Sequence, residues 1–235
     1  MNISSPLVRL VGVTVLAIAS ATPLLAQTGA GDEGTFEVFV DGRRVGTEQF
    51  TIRQTGVGSN AEAIATGRVE LALPTGTLVL LPRLRATGFQ ADPVAYEITI
   101  EGDSPRTIVG TVGDGRFSAR IASPSGEQLR EYVASSGATI LDEGIAHHYY
   151  FLARRSRNGR VPILIPRENR QVMATVSDLG EEQVNIGGVS ATLFHLLVVP
   201  DGGAERHVWV DALNRVIKVE IPDSGYRAVR TEIPR

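Results

Sequence analysis

The chain has 235 residues, no cysteine and a formal net charge of −3. Without cysteine there are no disulfides, no thiolate chemistry and no lipid held through a lipoprotein cysteine, so stability must come from apolar burial, which a chain of this length can supply. The mildly acidic balance and an aromatic content of 6% argue against a basic nucleic-acid face and against a stacking platform for bases.

The first element in chain order is a secretory signal. Arg9 is followed by the small and apolar run Leu10–Ala19, then Pro23 and Leu24-Leu25-Ala26 before Gln27. The run is too short for a permanent membrane span, which takes about 20 apolar residues. Residues 1–26 are therefore expected to be a signal peptide and 27–33 a flexible lead-in. Residues 34–235 are expected to form one β-rich domain with no transmembrane anchor after cleavage. The expected location is periplasmic or secreted.

Beyond residue 34, turn signals recur at short intervals, among them Asp41-Gly42, Pro74-Thr75-Gly76, Asp114-Gly115, Asp201-Gly202-Gly203 and Asp223-Ser224-Gly225. Between them lie runs rich in Val, Ile, Thr and aromatics, the pattern of antiparallel strands joined by hairpins. The clearest is Phe36–Val40 meeting Val45–Ile52 across Asp41-Gly42. Val189–Val199 is apolar on nearly every residue, so both its faces are expected to be covered. In Arg215–Ile221, Ile217, Val219 and Ile221 share one face while Val216, Lys218 and Glu220 share the other.

One segment departs from this pattern. From Asp142 to Arg155, Ile145, His148, Tyr149 and Leu152 recur at helical spacing, with Arg154 and Arg155 at the end where cations favour a helix. Asp142 is the expected N-cap and Asn158-Gly159 the stop. A strand over 146–152 stands as the alternative, since Tyr149-Tyr150-Phe151 are good strand formers. The expected fold is mainly β: a large curved antiparallel sheet or open barrel, a meander of hairpins, with one central amphipathic helix on its concave face.

Chemistry-bearing motifs are few. His147 and His148 are neighbours in sequence and point apart in either conformation, and no zinc motif is present, so no metal and no cofactor are expected. Convergence of His148, His195 and His207 through tertiary contact remains open. No Gly-x-Ser-x-Gly elbow exists, and the adjacent carboxylates Asp32-Glu33, Asp142-Glu143 and Glu181-Glu182 suit turns or a helix start. No catalytic residue is assigned. A helix across a curved sheet can leave an apolar cleft, which makes Ile145, His148, Tyr149 and Leu152 candidate ligand contacts. The same aromatics also suit a filled core. Six arginines lie between 154 and 170, and Arg154, Arg155 and Arg157 are the candidate anionic contacts, for a lipid headgroup or an acidic partner.

Three features carry a resemblance covering most of residues 34–232. They are the opening hairpin Phe-Glu-Val-Phe-Val-Asp-Gly-Arg-Arg-Val-Gly-Thr, the central Asp-led aromatic helix ending in arginines, and the late pair Val208-Trp209-Val210-Asp211 and Arg215–Val219. In these the chain resembles uncharacterised secreted β-rich bacterial domains of unknown function. In outline it is also similar to periplasmic lipoprotein carriers, which wrap a curved antiparallel sheet around short helices. The resemblance supplies no catalytic residues. The expected function is that of a non-enzymatic exported protein that binds an envelope partner or an apolar or amphipathic ligand, such as a lipid, between the helix over 142–155 and the sheet. An enzyme with a His-centred site, such as a hydrolase, and a structural module acting through a sheet edge are the alternatives.

Overall fold

The computed structural model describes Met1 and residues 29–234, so the expected signal peptide lies outside the described residues. Eight strands come first: β1 (Gly29–Val40), β2 (Arg43–Thr55), β3 (Glu62–Leu73), β4 (Gly76–Thr87), β5 (Asp92–Glu101), β6 (Arg106–Gly113), β7 (Arg116–Ser123) and β8 (Gly126–Val133). The two-residue β9 (Thr139–Ile140) and the helix α1 (Tyr149–Arg155) follow. Then come β10 (Gly159–Ile165), β11 (Arg170–Ile186), β12 (Val189–Pro200), β13 (Arg206–Val210), β14 (Val216–Ile221) and β15 (Tyr226–Arg230).

All 15 strands form one sheet in the order β8-β7-β6-β5-β4-β3-β2-β1-β15-β14-β13-β12-β11-β10-β9. Two meanders are thus joined at the middle by the pairing of β1 with β15, from Phe36↔Arg230 to Val40↔Tyr226. Every pairing is antiparallel except β9 with β10, which makes the sheet mixed. The sheet curls until β8 approaches β11 and β5 approaches β9, but it does not close into a barrel. Gln171 of β11 bridges the seam by accepting from the Ser135 N–H at 2.7 Å and donating to its hydroxyl at 2.9 Å.

Local chemistry explains the hairpins. Asp41 and Gly42 have φ of 50° and 77°, and Asp114 and Gly115 have 51° and 73°. Positive φ at both central residues gives the turn whose twist matches that of the flanking strands. At Gly46 of β2 an added Cβ would lie 1.8 Å from the Glu70 carbonyl oxygen of β3, so only glycine permits that approach.

The concave face holds one continuous apolar core. Phe36 and Val38 of β1, Phe50 and Ile52 of β2, Leu80 and Leu84 of β4, and Tyr96 and Ile98 of β5 pack there with α1. A smaller cluster on the other face joins Val184, Ile186, Leu193, Trp209 and Ile217.

Four details differ from the sequence expectations. Residues 29–33 are strand, not lead-in: β1 pairs with β2 from Gly29↔Gln54, and Asp32 is buried. The helix is shorter than 142–155, because Gly144 (φ 72°) and extended Ile145 interrupt the backbone before a 3-10 turn over Ala146–His148 leads into α1. It is also not amphipathic in its first turns, since Tyr149, Tyr150, Phe151, Leu152 and Ala153 are all buried in succession. In β14 a bulge breaks the alternation. Trp209 pairs with Lys218 and Val210 with Val216, which turns Ile217 away from Val216 and Val219 into the smaller cluster. Along β12 both faces are covered only from Leu193 onward, while Val189 and Ser190 stay exposed.

Candidate functional site

The four candidate ligand contacts lie inside the core. Ile145 and Leu152 are 1% exposed, His148 is 0% and Tyr149 is 4%. Around them the polar groups are tied to the sheet. Tyr149 Oη accepts from Arg206 Nη1 at 3.2 Å, and Arg206 also faces Glu143 at 3.7 Å. Burial drives the Tyr149 hydroxyl pKa up, so it stays protonated. His148 Nδ1 faces the Asp142 N–H at 3.4 Å, and its Nε2 has no hydrogen-bond partner among the described residues. Burial, then the neighbouring His147, push the His148 pKa well below the ordinary histidine value.

Glu48, which the sequence reading passed over, anchors this segment. Its carboxylate accepts from the N–H groups of Ala146 at 2.7 Å and His147 at 2.8 Å, and from His147 Nδ1 at 2.7 Å. A carboxylate from β2 thus does the work of an N-cap, satisfying two orphan donors at the positive end of the helical segment. Gly67 of β3 makes the room: a Cβ there would sit 2.8 Å from His147 Cε1. The detectable signal was Glu48 itself, in phase with Phe50 and Ile52 on the inward face of β2.

The histidines fall into two pairs. His147 and His148 are interior. His195 and His207 lie on the opposite face, with His195 Nε2 2.9 Å from His207 Nδ1. His195 Nδ1 donates to Glu182 at 3.0 Å, and its ring stacks on Trp209 at 4.4 Å. Burial lowers the His195 pKa, against the pull of Glu182. His148 therefore does not join His195 and His207. Among the described residues no group of three or more His, Cys, Asp or Glu converges as a metal site.

The candidate anionic contacts are spread out and internally partnered. Arg154 donates to the Phe89 carbonyl at 3.2 Å and to Tyr150 Oη at 3.1 Å. Arg155 pairs with Asp92 at 2.5 Å, so both tie the end of α1 to the β4–β5 turn. Arg157 donates to Asn214 Oδ1 at 2.8 Å and stacks over Phe194 at 4.0 Å.

An open cleft lies elsewhere, at the rim where the β1–β2, β3–β4, β5–β6 and β14–β15 turns gather. Its volume is about 410 Å³. Leu71 and Leu73 of β3, Leu78 and Leu80 of β4, Val40 and Ile165 supply apolar walls, and Asp142, Glu143 and Gly144 cross one side. Arg106, Arg167 and Tyr226 also border it. Asp142 is fixed on three sides: Tyr96 Oη donates to it at 2.7 Å, Arg167 N at 3.2 Å, and Arg167 Nε stands 3.6 Å away. Its pKa is raised because burial outweighs the attraction of Arg167. Arg167 also donates to the Glu143 carbonyl. The Tyr226 hydroxyl is buried without a hydrogen-bond partner among the described residues, and burial drives its pKa well up, so it stays protonated.

No family model matches the chain, and no curated protein does. Among solved structures, it is similar to the beta-barrel-like protein of the domain of unknown function DUF1849 from Brucella abortus. The TM-score is 0.52 at 10% identity, over 86% of this chain and 94% of that one. That likeness shows the fold. It bears out a β-rich architecture shared with a domain of unknown function and carries no residue roles.

Proposed function

We propose that the protein is an exported, non-enzymatic binding protein that holds a small apolar or amphipathic ligand in the rim cleft. The observation that carries this reading is the apolar wall of Leu71, Leu73, Leu78 and Leu80 in an open hollow beside two arginines. Ligand sites are commonly concave, mostly apolar and furnished with a few polar groups, with volumes of about 300–1,000 Å³. The core around Ile145, His148, Tyr149 and Leu152 is filled, so the ligand is assigned to the rim cleft instead. Among the described residues no helix is long and apolar enough to cross a membrane.

Titration with N-phenyl-1-naphthylamine, a neutral apolar fluorophore, tests the reading. The parent protein should enhance and blue-shift its emission. Leu78→Trp, at a half-buried wall position, should fill the cleft and abolish the response while the melting temperature holds. A silent parent, or equal binding by the variant, would overturn the proposal. Export is checked by sequencing the N-terminus of protein recovered from the periplasm, which should begin at Gln27; an intact Met1 start there would count against it.

A further inference from the structure

We propose that the cleft takes a single-chain amphiphile with an anionic head, a carboxylate or phosphate, and that Arg106 is the residue that reads the head. This rests on the binding reading above and specifies its ligand class.

The three acids that border the cleft are individually paired. Asp142 is engaged by Tyr96 and Arg167, Glu143 faces Arg206 at 3.7 Å, and Glu168 pairs with Arg170 at 2.5 Å. Each acid thus has its own cation. The Arg106 side chain, by contrast, makes no hydrogen bond or ion pair among the described residues, although the residue is half-buried at the first position of β6. A guanidinium removed in part from water and left without a counter-ion is a standing attraction for an anion, and its planar fork suits a carboxylate or phosphate.

Position adds to charge. Two further hollows, of about 560 and 230 Å³, are bordered by the same Arg106 and Arg167, the smaller also by Glu101 and Asp103, neither of which comes within ion-pair distance of Arg106. The larger is edged by Ser104, Ser123, Ser125 and Gln128. Arg106 therefore stands where an apolar hollow meets a more polar one, the boundary at which an amphiphile changes character. The tail belongs against the leucines, and the head belongs at Arg106, with Arg167 beside it held by Asp142. A volume of about 410 Å³ is near the small end of ligand sites, which favours one chain over two.

Affinities of the full mature chain for dodecanoate, dodecyl phosphate, dodecan-1-ol and acetate test this at low salt. The two anionic amphiphiles should bind about tenfold or more tightly than the alcohol, the effect expected of a charge-assisted hydrogen bond. Acetate should bind far more weakly than dodecanoate, because the tail is required. Binding of acetate as tight as dodecanoate would overturn the amphiphile in favour of a free-anion site. Arg106→Gln should erase the preference by weakening the anions and sparing the alcohol, and Arg106→Lys should restore part of it. In the parent, raising the salt should narrow the gap between dodecanoate and dodecanol, a readout independent of any variant's folding. Equal binding of anion and alcohol, with no salt effect, would overturn the head-group assignment alone. Failure of every amphiphile to bind the parent would instead overturn the binding reading beneath it.

Discussion

The interior histidine pair separates two ways of keeping a polar ring in an apolar core. His147 has Glu48 at 2.7 Å, whereas His148 has only the Asp142 N–H at 3.4 Å on one nitrogen and nothing on the other. Folding therefore holds His148 neutral. Its folded pKa lies well below 6.5, chiefly through burial and then through His147 and Arg167. Below pH 6.5 the unfolded chain takes up a proton there that the folded chain refuses, so stability falls as pH drops toward the folded pKa. One such proton is worth at most about 1.4 kcal/mol per pH unit. Asp142 acts in the opposite sense. Its raised folded pKa gives a contribution present below 3.8 that is lost as pH rises through the folded value. Comparing parent with His148→Gln cancels Asp142 to first order. The parent's advantage at pH 7.5 should shrink by roughly 1–2 kcal/mol by pH 5 in urea unfolding. A gap that stays constant with pH would show that His148 titrates alike in both states. The sequence showed His148 on the stripe facing the sheet and Glu48 in phase with the inward face of β2, but not that His147 also points into the core or that Glu48 meets it there.

At the scale of elements, periodicity read the strands and the existence of the helix correctly and missed what long-range contacts decide. Hairpins announce themselves locally, through Asp-Gly at φ values few other residues accept. The bulge that turns Ile217 outward leaves no such mark, because one extra residue costs nothing in local propensity. Tyr149 and Leu152 do lie one turn apart in α1, but Ile145 is extended and His148 sits in the 3-10 turn before it, and the spacing suggested a lid with one wet side. What surrounds α1 is sheet on nearly every side, which a seven-residue helix needs, being too short to hold itself together in water. Asp142, the expected cap, instead bonds Tyr96 and Arg167, distant in sequence, and this exchange set the helix start wrongly by several residues. Burial of α1 predicts its energetics. Leu152→Ala should cost about 2–5 kcal/mol in denaturant melts, because Leu152 is 1% exposed in a packed core. Leu129→Ala on β8, 78% exposed, should change stability by no more than about 0.5 kcal/mol. Equal costs at the two positions would mean that α1 is not seated in the curl of the sheet. The arginines at and beyond the end of α1 show the same limit: the sequence offered them as anionic contacts, and only the fold supplied Asp92 for Arg155, Asn214 for Arg157 and Asp201 for Arg160.

The whole molecule depends on one junction. β1 and β15 bring the two meanders together, and their pairing joins residues almost 200 positions apart. Beside it Arg230 reaches across, with Nη2 on Asp32, Nη1 on the Glu33 carbonyl at 3.0 Å, and Nε on the Val216 carbonyl at 2.5 Å. Its guanidinium lies over Phe50 at 4.9 Å, and Gly34 keeps the space, since a Cβ there would meet Nη1 at 2.9 Å. This is why residues 29–33 are ordered strand although their composition reads as a loose lead. The ion pair is not a large net gain. Burial raises the Asp32 pKa in spite of the adjoining Arg230, and Asp32 Oδ1 has no hydrogen-bond partner among the described residues. Desolvation thus exceeds attraction, the regime in which a buried pair contributes less than an apolar replacement. Removing one partner is a different matter. Asp32→Ala strands the guanidinium in the core and should cost about 3–5 kcal/mol. The double variant Asp32→Leu with Arg230→Met removes both charges and should recover more than half of that loss, even though two carbonyls lose a donor. Urea unfolding of the parent, the single variant and the double variant decides the point. If the double variant proves less stable than the single one, the pair holds the two half-sheets together by its charge, and burial of the surrounding Phe36 and Phe50 does not.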